Sequence, residues 1–310
     1  MNMNTIHNLG VGLNYHPRFY SMIEKNLDHI DFIEVSPDVL CEEKFVNQKR
    51  YFAFNELQLH QLKKITKKKP VVVHGLGLSI GSASGWNEQY LEMLQIYLHD
   101  QTVVWHSEHL GFTLIDDEIG RELHAGMILP LPFTEEALNL LIPRIKKVQE
   151  LIDYPFLLEN TTYYLPEYAG IQWDEVDFLN ELTQRSGCGL ILDLYNFYCN
   201  AVNFGFDPYV ALNKLDMDSV IEIHLAGGST HKGFQLDVHS DLVAQEIWRL
   251  LEWVLPRAQN LKAVTYELLA QSLDYISEQE VVNQLKTAKD MLTLCPSQQI
   301  THPSLGRCSV

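Results

Sequence analysis

Along the chain, short runs of apolar residues alternate with longer stretches in which apolar side chains recur every three or four positions. Eight of the short runs stand out, at 9–14, 31–36, 70–75, 102–109, 155–160, 189–196, 220–226 and 263–268. Most are continuous rather than alternating, the pattern of parallel strands covered on both faces. The stretches between them carry helix signals. Thr134 before Glu135 and Glu136 opens a stripe of Leu138, Leu141, Ile142 and Ile145, and Ser240 is placed to cap a helix through Val243, Ile247, Leu250 and Leu251. Ser277 and Glu280 form a capping box, and Gly187 falls where a helix begun near Asp174 should stop. Eight strands alternating with helices predict an α/β chain folded as an eightfold β/α (TIM-type) barrel, one domain over 1–295 with a loose tail at 296–310. An open doubly wound sheet is the alternative. Its glycine-rich turn would be Gly75-Leu76-Gly77-Leu78-Ser79-Ile80-Gly81, but the third glycine comes one residue too late for dinucleotide binding. The serines from Ser79 to Ser84 suggest a mobile lip instead.

Composition narrows the partners. The chain has 310 residues, 46% hydrophobic and 20% charged, and a net charge of −17. That acidity argues against a nucleic-acid binder and suits a protein that holds cations. The lysine-rich run at 63–69 reads as a solvated helix end. Five cysteines without a CxxC pair read as reduced thiols. The N-terminal stretch lacks a basic-then-apolar signal and no run reaches eighteen apolar residues, so the expectation is a cytoplasmic protein with no membrane span.

In a β/α barrel the carboxyl ends of the strands share one mouth. From the second strand to the eighth those ends read Glu34; His74; His106, Glu108 and His109; Glu159 and Asn160; Asp193 and Asn196; His224; and Glu267. Asp237 and His239 follow in the loop after strand seven. One such residue is ordinarily a satisfied core group. Four or more carboxylates in one mouth, with no Lys or Arg at the same strand ends, need cations beside them. Imidazole and carboxylate without thiolate suit iron, manganese or zinc, and so many ligands exceed the needs of one ion.

The motifs HGLGLSIGS, SEHLGF, LLENTT, LDLYN, HLAGG, DVHS and YEL, in that order, resemble the multinuclear non-haem iron-dependent oxidases, formerly domain of unknown function 692, which include oxidases of methanobactin biosynthesis. The resemblance runs from about Gly10 to Met291. It implies two or three irons in mixed Fe(II)/Fe(III) states, O2 as co-substrate, and oxidation of a residue, commonly cysteine, in a ribosomally made precursor peptide that a small partner protein presents. Its ligand positions fall on His74, His109, Glu159, Asp193 or Asn196, His224, Asp237, His239 and Glu267. Similar members carry a histidine where this chain has Gly228, so either His231 reaches in from the same loop or one iron position loses a ligand. Glu34, His106, Glu108 and Asn160 are expected to orient ligands, and Tyr163, Tyr164 and Tyr195 to meet substrate. Two other readings remain: a divalent-metal sugar isomerase or endonuclease-like hydrolase on a xylose-isomerase-like barrel, and a peptide-binding module without chemistry.

Overall fold

The computed structural model describes residues 6–46, 49–116, 122–165 and 172–295. Eight parallel strands close a barrel: β1 Gly10–Tyr15, β2 Phe32–Val35, β3 Val71–Gly75, β4 His106–His109, β5 Phe156–Glu159, β6 Gly189–Asp193, β7 Val220–Leu225 and β8 Ala263–Tyr266. Each pairs with its neighbour in sequence, and β1 closes on β8 with Gly10 beside Ala263. The eight apolar runs become these eight strands, because only closure buries both faces of every strand. The tail expected at 296–310 lies outside the described residues.

Successive strand side chains point to opposite faces, so the barrel has two separate cores. The outer one fills the space between strands and helices. The inner one, with Phe32, Val72, Trp105, Leu157, Ile191 and Ala263, plugs the end where the strands begin. Above the plug the inward side chains turn polar, through Ser107, Glu222 and Thr265 to the imidazoles and carboxylates of the mouth.

Three expectations need correction at element ends. The fourth run, read as strand over 102–109, is strand only over His106–His109. The sixth run was expected to be strand to residue 196, but it turns helical at Leu194, because the Asp193 carboxylate caps the helix Leu194–Phe204 by accepting from the Asn196 backbone N–H at 2.6 Å. Ser240 caps nothing: the next helix is Gln245–Val254, and 237–244 serve as the loop that carries Asp237 and His239. The capping box at Ser277, the Thr134 cap and the left-handed Gly187 stop all form.

The serine segment is no loose lip. Ser79, Ile80 and Ser82 are buried, and the Ser79 hydroxyl accepts from the Thr113 and Leu114 backbone N–H groups at 2.8 and 3.0 Å. Arg144 reaches over to donate to the Ile80 and Ser82 carbonyls at 2.7 and 2.6 Å. Three hairpins, Cys41–Val46 with Lys49–Phe54, Gly111–Asp116 with Glu122–Pro130, and Ser229–His231 with Phe234–Leu236, extend from loops that follow the strands.

Candidate metal centre

The mouth of the barrel gathers two compact groups around one shared residue. In the first, Glu159 Oε2 at the end of β5 lies 2.9 Å from His74 Nε2 on β3 and 3.1 Å from His109 Nε2 on β4. In the second, His224 Nδ1 on β7 lies 3.5 Å from Glu159 Oε1 and 3.3 Å from Glu267 Oε2, with Asp193 completing the set. Within each group the donor atoms all lie within 4.8 Å of one another. Bonds of about 2.0–2.2 Å to one ion put its ligand atoms roughly 3–4.4 Å apart, so the spacing fits.

Hydrogen bonds behind the ring fix which atoms face inward. The Ser107 hydroxyl gives its one proton to the Val73 carbonyl at 2.9 Å, so at 2.9 Å from His74 Nδ1 it can only accept. Gly75 O, 3.1 Å from His109 Nδ1, is likewise only an acceptor. Both histidines therefore carry hydrogen on Nδ1 and aim an Nε2 lone pair at a carboxylate oxygen. Lone pairs held this close call for a cation or a proton between them. His224 is turned the other way: Nε2 meets Glu34 Oε2 at 3.0 Å and leaves Nδ1 for the mouth.

Unpartnered atoms mark the same place. His74 Nε2, both Glu159 oxygens, Asp193 Oδ2, His224 Nδ1, His239 Nε2 and Glu267 Oε2 are buried with no hydrogen-bond partner outside this cluster of imidazoles and carboxylates. Such groups are strongly disfavoured in a folded protein, and here they converge from several strand ends and one loop. The residues present thus fit metal ions.

The electrostatics show protons doing part of that work. Burial disfavours the His74 cation, but Glu159 and Glu34 outweigh it and lift His74 to about 9. His224 and His239 rise well above the ordinary imidazole range against burial, the first through Glu34 and Glu159, the second through Asp237 and Glu267. Burial pushes the Glu159 carboxyl up, yet His109, His74 and His224 hold it far below its usual range. Burial lifts Asp193 to about 8, with His239 opposing.

Beside these groups stands an outer pair. His239 Nε2 is 2.7 Å from Asp237 Oδ1 and 3.7 Å from Asp193 Oδ2, and its Nδ1 is 3.2 Å from Glu267 Oε2. His239 has φ +38°, a conformation unfavourable for a non-glycine residue. Its carbonyl is pinned by the Leu269 N–H and the Ser272 hydroxyl, each at 3.0 Å, which holds the strained backbone in place.

Several other predicted residues sit elsewhere. Asn196 uses its side chain on Thr162 Oγ1 at 2.8 Å and Asn160 O at 3.1 Å, and it joins neither group; the acid of LDLYN with a free oxygen is Asp193. Asn160 clamps the Asp193 backbone, accepting from its N–H at 2.8 Å and donating to its carbonyl at 3.2 Å. His106 and Glu108 are corrections: strand alternation turns them outward, His106 onto the Phe156 ring at 4.8 Å and Glu108 towards Tyr90. His231 lies on an exposed hairpin strand and enters none of the groups.

Tyr164 and Tyr195 hydrogen-bond to the backbone at Asp237 and Leu236, whereas Tyr163 lines a side cavity with Phe133, Trp173 and Phe206. Tyr163 lies tilted by 34° on Phe204 with ring centroids 4.7 Å apart, and Tyr195 donates to Leu236 O at 3.0 Å while Gln235 donates to it at 2.7 Å. Tyr164 accepts from the Asp237 backbone N–H at 2.8 Å and so steadies that acid. A side chain at Gly228 would collide with the Tyr195 hydroxyl and the Leu236 carbonyl, so here the hairpin closes over the position.

One buried acid escaped the reading of strand ends. Glu222, fully buried, lies two residues before His224 on the same face of β7. The alternation Glu-Ile-His was its signal.

Fold and site together define a xylose-isomerase-like β/α barrel with a candidate multi-ion centre in its mouth. The chain matches the family model described as "RiPP precursor modification enzyme MbnB/TglH/ChrH" over residues 10–293 and belongs to that family of enzymes, which modify ribosomally synthesised precursor peptides. A UPF0276 protein of Caulobacter vibrioides is 34% identical over 244 residues, 78% of this chain and 81% of its own length. A UPF0276 protein of Vibrio vulnificus is 32% identical over 268 residues, 84% and 88% of the two chains. Among solved structures, endonuclease IV from Thermus thermophilus aligns at TM-score 0.54 and 16% identity over 91% of this chain and 98% of its own. The IOLI protein with a bound zinc atom aligns at 0.57 and 13%, over 92% and 99%. These two show the fold alone. No helix among the described residues is long and apolar enough to cross a membrane.

Proposed function

We propose that this chain is an iron-dependent oxidase that uses O2 to modify a residue, commonly cysteine, of a ribosomally made precursor peptide, with a small partner protein presenting that peptide. The observation that carries the reading is the meeting of His74 Nε2, His109 Nε2 and Glu159 Oε2 with both Nδ1 atoms already committed. Bound iron would supply a seat for the substrate thiolate and the electrons that reduce O2.

The chain's own residues do the rest. His74, His109 and Glu159 would hold one ion and Glu159, Asp193, His224 and Glu267 a second, with Glu159 common to both sets. Asp237 and His239 stand next to the second group, where they serve it or a third ion. Ser107, Gly75 O and Glu34 orient the three imidazoles. The apolar plug below excludes water from the underside, leaving the mouth as the route for peptide and O2.

The test is anaerobic purification with iron, metal analysis, and incubation with a cysteine-bearing peptide encoded beside this chain's gene. A peptide mass change that needs both iron and O2 is expected. Tight loading with zinc or manganese, no O2 uptake and an unchanged peptide would sink the reading.

A further inference from the structure

A third group, Glu34, Glu222 and His224, is as compact as the two ion-ready ones and fully buried. It differs in its hydrogen bonds. Glu222 Oε2 accepts from Trp105 Nε1 at 2.9 Å and Oε1 accepts from the Thr265 hydroxyl at 2.6 Å. Glu34 Oε2 is engaged with His224 Nε2. Neither glutamate contributes to the buried unpartnered atoms, whereas Glu159, Asp193 and Glu267 all do. An ion here would have to displace the Trp105 and Thr265 donors, whereas above it would replace only protons shared among the ligands themselves.

We infer that Glu222 is a positioning residue: a buried anion, anchored by Trp105 and Thr265, that strengthens His224 Nδ1 as a ligand for the ion shared with Glu159, Asp193 and Glu267. The inference rests on the metal reading proposed above. Glu222 Oε1 lies 3.7 Å from His224 Nε2, on the edge where Glu34 accepts the proton. A second negative charge on that edge favours the Nε2–H tautomer and pushes electron density towards Nδ1. Its anchors come from the residue that leads into β4, across the barrel, and from the neighbouring β8, so Glu222 cannot swing up to become a ligand itself. The effect is local to His224, because His74 and His109 are oriented by Ser107 and Gly75 O.

Titration with Co2+ alone, followed by its visible absorption and by calorimetry, tests this without any peptide or O2. Glu222→Gln is expected to weaken one of two Co2+ sites by about 10–100-fold and to leave the other unchanged. His74→Ala should abolish the site that Glu222→Gln spares. Trp105→Phe keeps the charge, and it should lower the Tm while holding both affinities within a few-fold. Unchanged Co2+ binding in Glu222→Gln, or equal weakening of both sites there and in Trp105→Phe, would overturn the inference. A wild-type protein that takes up no Co2+ would overturn the metal reading and this inference with it. Two bound ions without O2-dependent peptide modification would leave the inference standing and remove the oxidase.

Discussion

Strand β4 carries two histidines three residues apart, and they live in opposite worlds. His109 faces the barrel axis, among carboxylates, with Nδ1 tied to a backbone carbonyl and Nε2 offered to Glu159. His106 faces the helices and stacks on Phe156, with neither ring nitrogen partnered. Burial alone acts on it, and pushes it down to about 3. Burial also lowers His109, but Glu159 pulls the other way. The residue type is identical and so is the strand. What separates a ligand from a packing residue is which face of the sheet the pleat presents, and what waits there.

The strongest way to break this contrast is to remove what waits there. Glu159→Ala takes away the oxygen that faces His74 and His109 and the oxygen that faces His224. It is expected to lose both ions and to abolish peptide modification, beyond the roughly 10–100-fold typical of an outer partner. Metal content and product mass check it, and full iron loading would refute the shared-bridge geometry. His109→Leu should lose the first ion, whereas His106→Leu should keep both ions and raise stability by about 1 kcal/mol by deleting two unpartnered buried nitrogens. Metal analysis and chemical denaturation of the pair measure that difference directly.

A smaller effect sharpens the contrast through pH. In the metal-free protein His74 is raised to about 9, so its contribution is full below about 6.5, its unfolded value, and is lost as pH climbs through 9. Asp193, raised to about 8, acts in the same direction: its carboxyl is kept neutral by the fold and opposes folding more as pH rises from about 4 to 8. The metal-free protein should therefore lose Tm between about pH 6.5 and 9, and metal should suppress that loss by replacing the protons. His106, lowered to about 3, works the other way, adding stability as pH rises from about 3 to 6.5 and little above that. A metal-free Tm flat across the window would contradict the assignment.

Much of this was visible before folding. The eight apolar runs identified the strands, because a strand buried on both faces has no freedom to alternate. The residues at their ends identified the mouth, since a barrel brings all its carboxyl ends to one rim. The errors came at single residues. Asn196 stood one turn too far along because a capping aspartate ends β6 early. His106 and Glu108 were placed beside the ligands, as groups that orient them, because a run read as strand from residue 102 leaves the phase of the pleat open. Glu222 was overlooked because it lies one layer below the rim, and His231 looked near only because its loop is short.

By itself, the sequence determined the barrel, its eight strands and the acid-and-imidazole chemistry of its mouth, since these follow from local pattern and the periodicity of the chain. Only the tertiary structure decided which nitrogen each histidine offers, that Glu159 stands between two groups, and that a tyrosine and a hairpin close over Gly228. Those facts depend on partners far apart in the chain, such as Glu34 and His224, 190 residues distant, and no local pattern encodes a distance across a barrel.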